Sequence, residues 1–205
     1  KRFPRKTLKK IYGIPMIKRV YDRVKKADQI DKVIISIPKN KNNYDLKKFC
    51  QKNLIICHEG SHLNVVSRLY KAAKKFKAKA FVRISGDSPL IDPNIIDESV
   101  RVYKKKKIDL VTNTHLRSCP SGQSVEVIKM DSLKKVTKKD LTNYEKEHVT
   151  TYFYNNLKKI KIYHIKFKSL KFKNLKFSID TKKDLKILLR KFSKKQFNEL
   201  YLIIK

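Results

Sequence analysis

Short apolar runs alternate with longer stretches in which apolar residues recur every three to four positions, and this alternation continues along nearly the whole chain. Runs at residues 32–37 (KVIISI), 54–57, 81–85 (FVRIS), 110–113, 124–128, 160–167 and 176–179 predict strands. The helical period predicts helices over residues 16–26, 44–52, 64–76, 93–103, 143–156, 181–191 and 194–203. Two helix starts carry local signals. Asp92 precedes Pro93 as an N-cap before a first-turn proline, and Thr181 stands three residues before Asp184 at capping-box spacing. Strands alternating with helices predict an α/β fold with a mainly parallel sheet.

The chain has 205 residues and 40% hydrophobic content, enough for one substantial core and too much for a disordered tail. No internal repeat or Gly/Pro-rich linker divides it, so a single domain over 1–205 is expected. No run approaches the ~18 apolar residues of a membrane span, and no secretory segment follows the basic start, so a cytoplasmic protein is expected. Cys50, Cys57 and Cys119 form no CxxC pair and no metal-ligand rhythm with the histidines, and read as reduced structural thiols.

The formal charge of +34 points first to a polyanionic partner. Of the 52 basic residues only nine are arginine, however, and the lysines are spread over the whole chain. Lys, Asn, Ile, Phe and Tyr all have A/T-rich codons, so a compositional bias accounts for the charge without any ligand. Arginine forks, aromatic stacking strips and RNA- or DNA-binding motifs are missing, which argues against a nucleic-acid reader.

Three places interrupt the regular pattern. Residues 1–6 (KRFPRK), followed by Gly13-Ile14-Pro15-Met16 at a helix start, either hold a polyphosphate or form a solvated terminus. Gly86-Asp87-Ser88-Pro89 directly follows a strand. A carboxylate at the carboxyl end of a parallel strand suits Mg²⁺ with a phosphate, or is an ordinary turn aspartate. Asp180, in Ile179-Asp180-Thr181, stands between a strand and a helix and is either a second such acid or only an N-cap.

In their order these pieces resemble the cytidylyltransferase family. Residues 1–6 resemble its R-L-P-G-K loop, residues 13–17 its G-K-P-M-I segment, and residues 82–93 (VRISGDSPLIDP) its R-x-T-G-D-x-P-L-I-D-P motif. The match is closest to the SpsF-like spore-coat polysaccharide branch, related to the synthetases of CMP-KDO and CMP-sialic acid. Residues 60–70 (GSHLNVVSRLY), 120–127 (PSGQSVEV), 147–152 (EHVTTY) and 179–185 (IDTKKDL) match that branch's G-x-x-x-D-V-L-x-R-Y, P-D-G-x-x-x-E-V, E-H-V-T-P-Y and V-D-T-x-x-D-L.

The resemblance implies a Rossmann-like nucleotide-diphospho-sugar transferase fold and transfer of CMP from CTP to an acidic or deoxy sugar, with release of pyrophosphate. It implies Mg²⁺ held by Asp87 and Asp180, with Lys6 at the α-phosphate, Arg2 at the outer phosphates and Gly86 in the nucleotide loop. Gly122, Glu126 and His148 fall in motifs associated with the sugar half of the pocket, although a buried Glu126–His148 hydrogen-bond pair is the alternative for two of them. Arg68 and Arg83 are read equally as ligand contacts or structural salt bridges. A homodimer is compatible with the family. A same-fold enzyme using another NTP or acceptor, and a basic nucleic-acid-binding protein, are the competing readings.

Some positions depart from the pattern. Arg5 replaces a loop glycine, so a positive φ there would be strained, and Asn64 and Ser121 each replace an aspartate. The family opens with a hydrophobic strand and an I-x-A-R-x-x-S base-binding segment, whereas this chain starts inside the loop, so an N-terminally truncated domain lacking its first strand is expected. The strands at 32–37 and 81–85 should then flank a gap of ~9–10 Å, two strand spacings, with Lys1 at its mouth and Asp87 on the same edge as Lys6.

Overall fold

The computed structural model describes residues 5–106, 108–167 and 174–202. A single 3-10 turn, Lys6–Leu8, leads into a tight antiparallel hairpin of β1 (Lys10–Ile11) and β2 (Ile14–Pro15). Its two-residue turn places Tyr12 at φ 48° and Gly13 at φ 82°, the left-handed pair that matches the twist of a short hairpin.

Helix α1 (Met16–Lys25) follows at once and buries Met16, Ile17, Val20 and Val24 along one stripe. Next come β3 (Ile35–Pro38), α2 (Tyr44–Lys52) and β4 (Cys57–Gly60), with β3 and β4 paired in parallel. After α3 (Val65–Lys75), β5 (Ala80–Arg83) and α4 (Pro93–Lys106) the chain enters β6 (Leu110–Thr112) and β7 (Glu126–Lys129). The remaining elements are α5 (Met130–Val136), α6 (Asn143–Glu147), α7 (Thr151–Asn155), β8 (Ile162–His164), α8 (Lys182–Lys191) and α9 (Lys194–Glu199).

The larger sheet has the order β5-β7-β6-β8. The α/β class holds, but the sheet is mixed rather than mainly parallel: β7 runs antiparallel to both β5 and β6, and only β6 and β8 are parallel within it. One apolar cluster, including Ile91, Ile95, Val111, Val125 and Val127, packs against the Val20 and Val24 stripe of α1. A second, with Leu110, Ile128, Leu133 and Phe153, lies under α3, α5 and α7. A third joins the hairpin to the C-terminal helices through Ile11, Met16, Phe177, Leu188 and Phe197.

Most predicted elements stand, with shifted ends. The 54–57 strand begins at Cys57 instead, because Leu54 leaves α2 in a left-handed conformation (φ 54°) with its side chain in solvent. The long helix predicted over 143–156 is two short ones, broken where His148 adopts a non-helical conformation. Residues 176–179, predicted as a strand, join no strand: Phe177 N–H goes to the Ser121 carbonyl (2.7 Å) and Ile179 N–H to the Asp87 carbonyl (2.9 Å). The last helix stops at Glu199, where Arg23 takes the Leu200 carbonyl and Asp92 takes the Leu202 N–H. Residue 203, its predicted end, lies outside the described residues.

Among the described residues, β3 and β5 belong to separate sheets and do not pair with each other. Lys1 lies outside those residues.

Candidate active site

Lys6 reaches the center of the site from the 3-10 turn that follows Arg5. Its Nζ donates to Asp87 Oδ2 (2.7 Å), Asp180 Oδ1 (2.9 Å) and the Ile179 carbonyl (3.2 Å). These partners lie 81 to 174 residues away in sequence, so the fold alone brings them together.

Asp87 is placed by the turn that leaves β5, and its main chain is tied to the segment before Asp180 by the Ile179 N–H bond. Gly86 fits this turn closely against α1: a Cβ there would lie 3.2 Å from Ile17 Cδ1. Asp180 stands just ahead of α8, and its second oxygen is held by Lys176 (3.0 Å).

The electrostatics of the cluster are mutual. Burial opposes the charge on Lys6, but the hydrogen bonds it donates to Asp87 and Asp180 outweigh it and raise the ammonium's pKa. The Lys6 and Lys176 hydrogen bonds hold the Asp180 carboxyl below its ordinary range. Asp180 is therefore more than a helix cap. The N-cap of α8 is Thr181, whose hydroxyl and Asp184 form the expected capping box.

Arg5 adopts φ 50°, a strained conformation for a residue standing where the family loop has glycine, and its side chain makes an exposed 3.5 Å pair with Asp45. Arg2 lies outside the described residues.

A second polar group lies across the neighboring strand ends. Arg83, Glu126, Thr112 and His164 are successive cross-strand partners, forming one row over β5, β7, β6 and β8. The row closes the carboxyl ends of β5, β6 and β8, the edge where open α/β sheets hold ligands.

The Glu126 side chain is only 2% exposed. It accepts hydrogen bonds from Arg83 Nη1 (2.5 Å), Thr150 Oγ1 (2.7 Å) and Tyr154 OH (2.7 Å). His115 stacks on Tyr154 at 4.5 Å and tilts toward His164, whose buried Nδ1 has no hydrogen-bond partner among the described residues.

The Glu126–His148 pair is not formed. His148 is exposed at the end of α6 and rests on Tyr144, because the break between α6 and α7 turns Thr150 rather than His148 toward Glu126. Thr150 and Tyr154 were not singled out in the sequence. Their i, i+4 spacing inside the predicted helix was the available signal, since it puts both hydroxyls on one face.

Gly122, at φ 90°, has a structural reason to be glycine: a Cβ would lie 2.5 Å from the Phe177 carbonyl carbon and would also collide with Ser178 N. It lets the 120–122 loop press against the segment that carries Asp180. Arg83 is salt-bridged to Glu126, whereas Arg68 makes no carboxylate pair among the described residues and donates to the Ser61 carbonyl at 2.6 Å.

All three cysteines are free, as the sequence suggests. No helix among the described residues is long and apolar enough to cross a membrane.

A metal at this site would depend on two carboxylates. Among the described residues no group of three or more His, Cys, Asp or Glu is placed to hold an ion. Two hard oxygen donors already sharing one cationic group nonetheless fit Mg²⁺, which keeps several waters and is commonly bound by one or two carboxylates plus substrate phosphates.

An uncharacterized protein of Methanocaldococcus jannaschii is 30% identical over 92% of this chain and 77% of its own length. The spore coat polysaccharide biosynthesis protein SpsF of Bacillus subtilis is 23% identical over 89% of this chain and 78% of its own. A 3-deoxy-manno-octulosonate cytidylyltransferase of Geobacter metallireducens is 32% identical over 48% of this chain, a match spanning only 38% of that enzyme.

Among solved structures, a cytidylyltransferase from Leptospira borgpetersenii superposes with a TM-score of 0.86 at 24% identity, covering 95% of this chain and 84% of the other. A CMP:2-keto-3-deoxy-manno-octonic acid synthetase solved with CTP superposes at 0.64 and 14% identity, covering 93% and 94%. These two likenesses establish a shared nucleotide-sugar transferase fold. The sequence profile of the cytidylyltransferase family matches residues 1–203, and with that match across almost the whole chain this protein belongs to the cytidylyltransferase family.

Proposed function

We propose that the chain, as one domain, transfers the cytidylyl group of CTP to a sugar bearing an acidic or deoxy function and releases pyrophosphate. The observation that carries this reading is the meeting of Lys6, Asp87 and Asp180 at one point beyond the carboxyl end of β5.

In the proposed reaction Asp87 and Asp180 would hold Mg²⁺, which would supply positive charge to neutralize the phosphates. Lys6 is the movable positive charge of the chain itself. Its long stem lets the ammonium leave the carboxylates and meet the α-phosphate, where negative charge spreads during displacement. Gly86 keeps the turn close enough to α1 for Asp87 to face Lys6, and Arg2 reaches the outer phosphates. Glu126 acts through Arg83, fixing its guanidinium at the end of β5 four residues before Asp87. Gly122 supports Asp180 from behind, and His148, exposed at the α6 end, serves the sugar half of the pocket.

Pyrophosphate release measured with each of the four NTPs against a panel of nonulosonic and octulosonic acids tests the assignment. Release that requires CTP together with one sugar acid is expected. Equal release with ATP, GTP or UTP would point to another nucleotide.

A further inference from the structure

We propose that Lys6 is a placeholder cation: without nucleotide its ammonium sits between Asp87 and Asp180 and competes with the divalent metal, so that metal and nucleotide favor each other's binding. This inference rests on the reading of the two aspartates as metal ligands.

The Nζ has three oxygen neighbors, one from each carboxylate and one from the Ile179 carbonyl, all within 3.2 Å. Two carboxylates brought this close repel one another unless a positive charge lies between them, and Lys6 supplies it. Lys176 adds a second ammonium on the far oxygen of Asp180, which it shares with Asp184. The acidic oxygens are thus neutralized by the chain's own lysines.

A metal entering alone must break two charge-assisted hydrogen bonds of Lys6 and leave that ammonium without an anionic partner. Nucleotide phosphates give the displaced ammonium a new partner, so the same move that costs affinity for the metal alone is offset when both ligands arrive. By linkage the coupling is reciprocal. The displacement needs little of the fold, because Lys6 rides on a single 3-10 turn with no buried residue, and the side chain of the preceding Arg5 makes an exposed pair with Asp45.

The test is binding of Mn²⁺ alone, a probe with the same preference for oxygen ligands, to the full chain without nucleotide, read from the electron paramagnetic resonance signal of the free ion. Lys6→Met should bind Mn²⁺ about tenfold more tightly than the wild type, the factor expected for removing a charge-assisted competitor. Lys6→Gln should do the same if the methionine variant folds poorly, and adding Asp87→Asn to either should abolish the gain.

If both lysine variants bind Mn²⁺ no more tightly than the wild type, while Asp87→Asn still weakens binding, the placeholder role is wrong and the metal ligands stand. If Asp87→Asn leaves Mn²⁺ binding unchanged in every background, the metal reading fails and the placeholder role fails with it.

Discussion

Lys6 touches both carboxylates from a turn that is itself lightly held, so its charge is free to follow the reacting phosphate. A group whose attraction strengthens as the transition state forms affects kcat more than substrate affinity. Lys6→Ala should therefore lower kcat by a larger factor than it raises KM for CTP, measured by steady-state pyrophosphate release. A change confined to KM would make Lys6 a ground-state phosphate contact. Glu126 presents the opposite case, a fully enclosed carboxylate with three donors. Glu126→Ala leaves the Arg83 guanidinium and two hydroxyls without their acceptor, and should destabilize the protein by about 3 kcal/mol in denaturant unfolding. Lys6, Asp87 and Asp180 were legible as residues because each stands in a short motif at a predicted strand or turn boundary. Thr150 and Tyr154 were not, because a hydroxyl on a helix face carries no sign of the buried acid it will meet.

At the scale of elements, the segment 174–181 holds Asp180 in place without joining a sheet. Its support comes from Gly122 beneath it and from the α8 cap ahead of it. Gly122→Ala introduces both a strained positive φ and a collision with main-chain atoms of Phe177 and Ser178, and should cost at least ~2 kcal/mol of stability and lower the melting temperature. Burial works against ionization of Asp184, but the Lys176 ammonium and the N–H groups of Thr181 and Asp180 prevail and bring its carboxyl from 3.8 to about 2. A depressed pKa stabilizes the fold above the ordinary value, and that contribution disappears as pH falls toward the folded one. Wild type should thus melt above Asp184→Asn at pH 7, by the equivalent of about 1 kcal/mol after solvent screening. The difference should close between pH 4 and pH 2; a difference that stays constant with pH would remove the charge from the explanation. Element types were readable from period and caps. Ends were less so, because they were set by distant partners: Asn113 occupies the backbone of Gln123 and Val125 ahead of β7, and Arg23 and Asp92 draw out the chain after α9.

For the molecule as a whole, alternating strands and helices gave the α/β class, but strand direction was not written in the apolar runs. Val125, Val127 and Ile128 are as buried as the residues of a parallel strand, yet β7 runs against its neighbors. An antiparallel strand covered on both faces has the same composition as a parallel one. The charge of +34 likewise gave no map of the site. The central cations are few and specifically placed, and among the described residues Lys6 is distinguished from the other lysines by joining Asp87 to Asp180 rather than by its sequence neighborhood. On the proposed reading Lys6, Asp87 and Asp180, distant in sequence, act as one catalytic center. The most direct measurement is cytidylyl transfer by Asp180→Asn, with circular dichroism and thermal melting to show an intact fold. Turnover should fall by about two orders of magnitude or more with the fold preserved, and near-normal turnover in this variant would contradict a shared center.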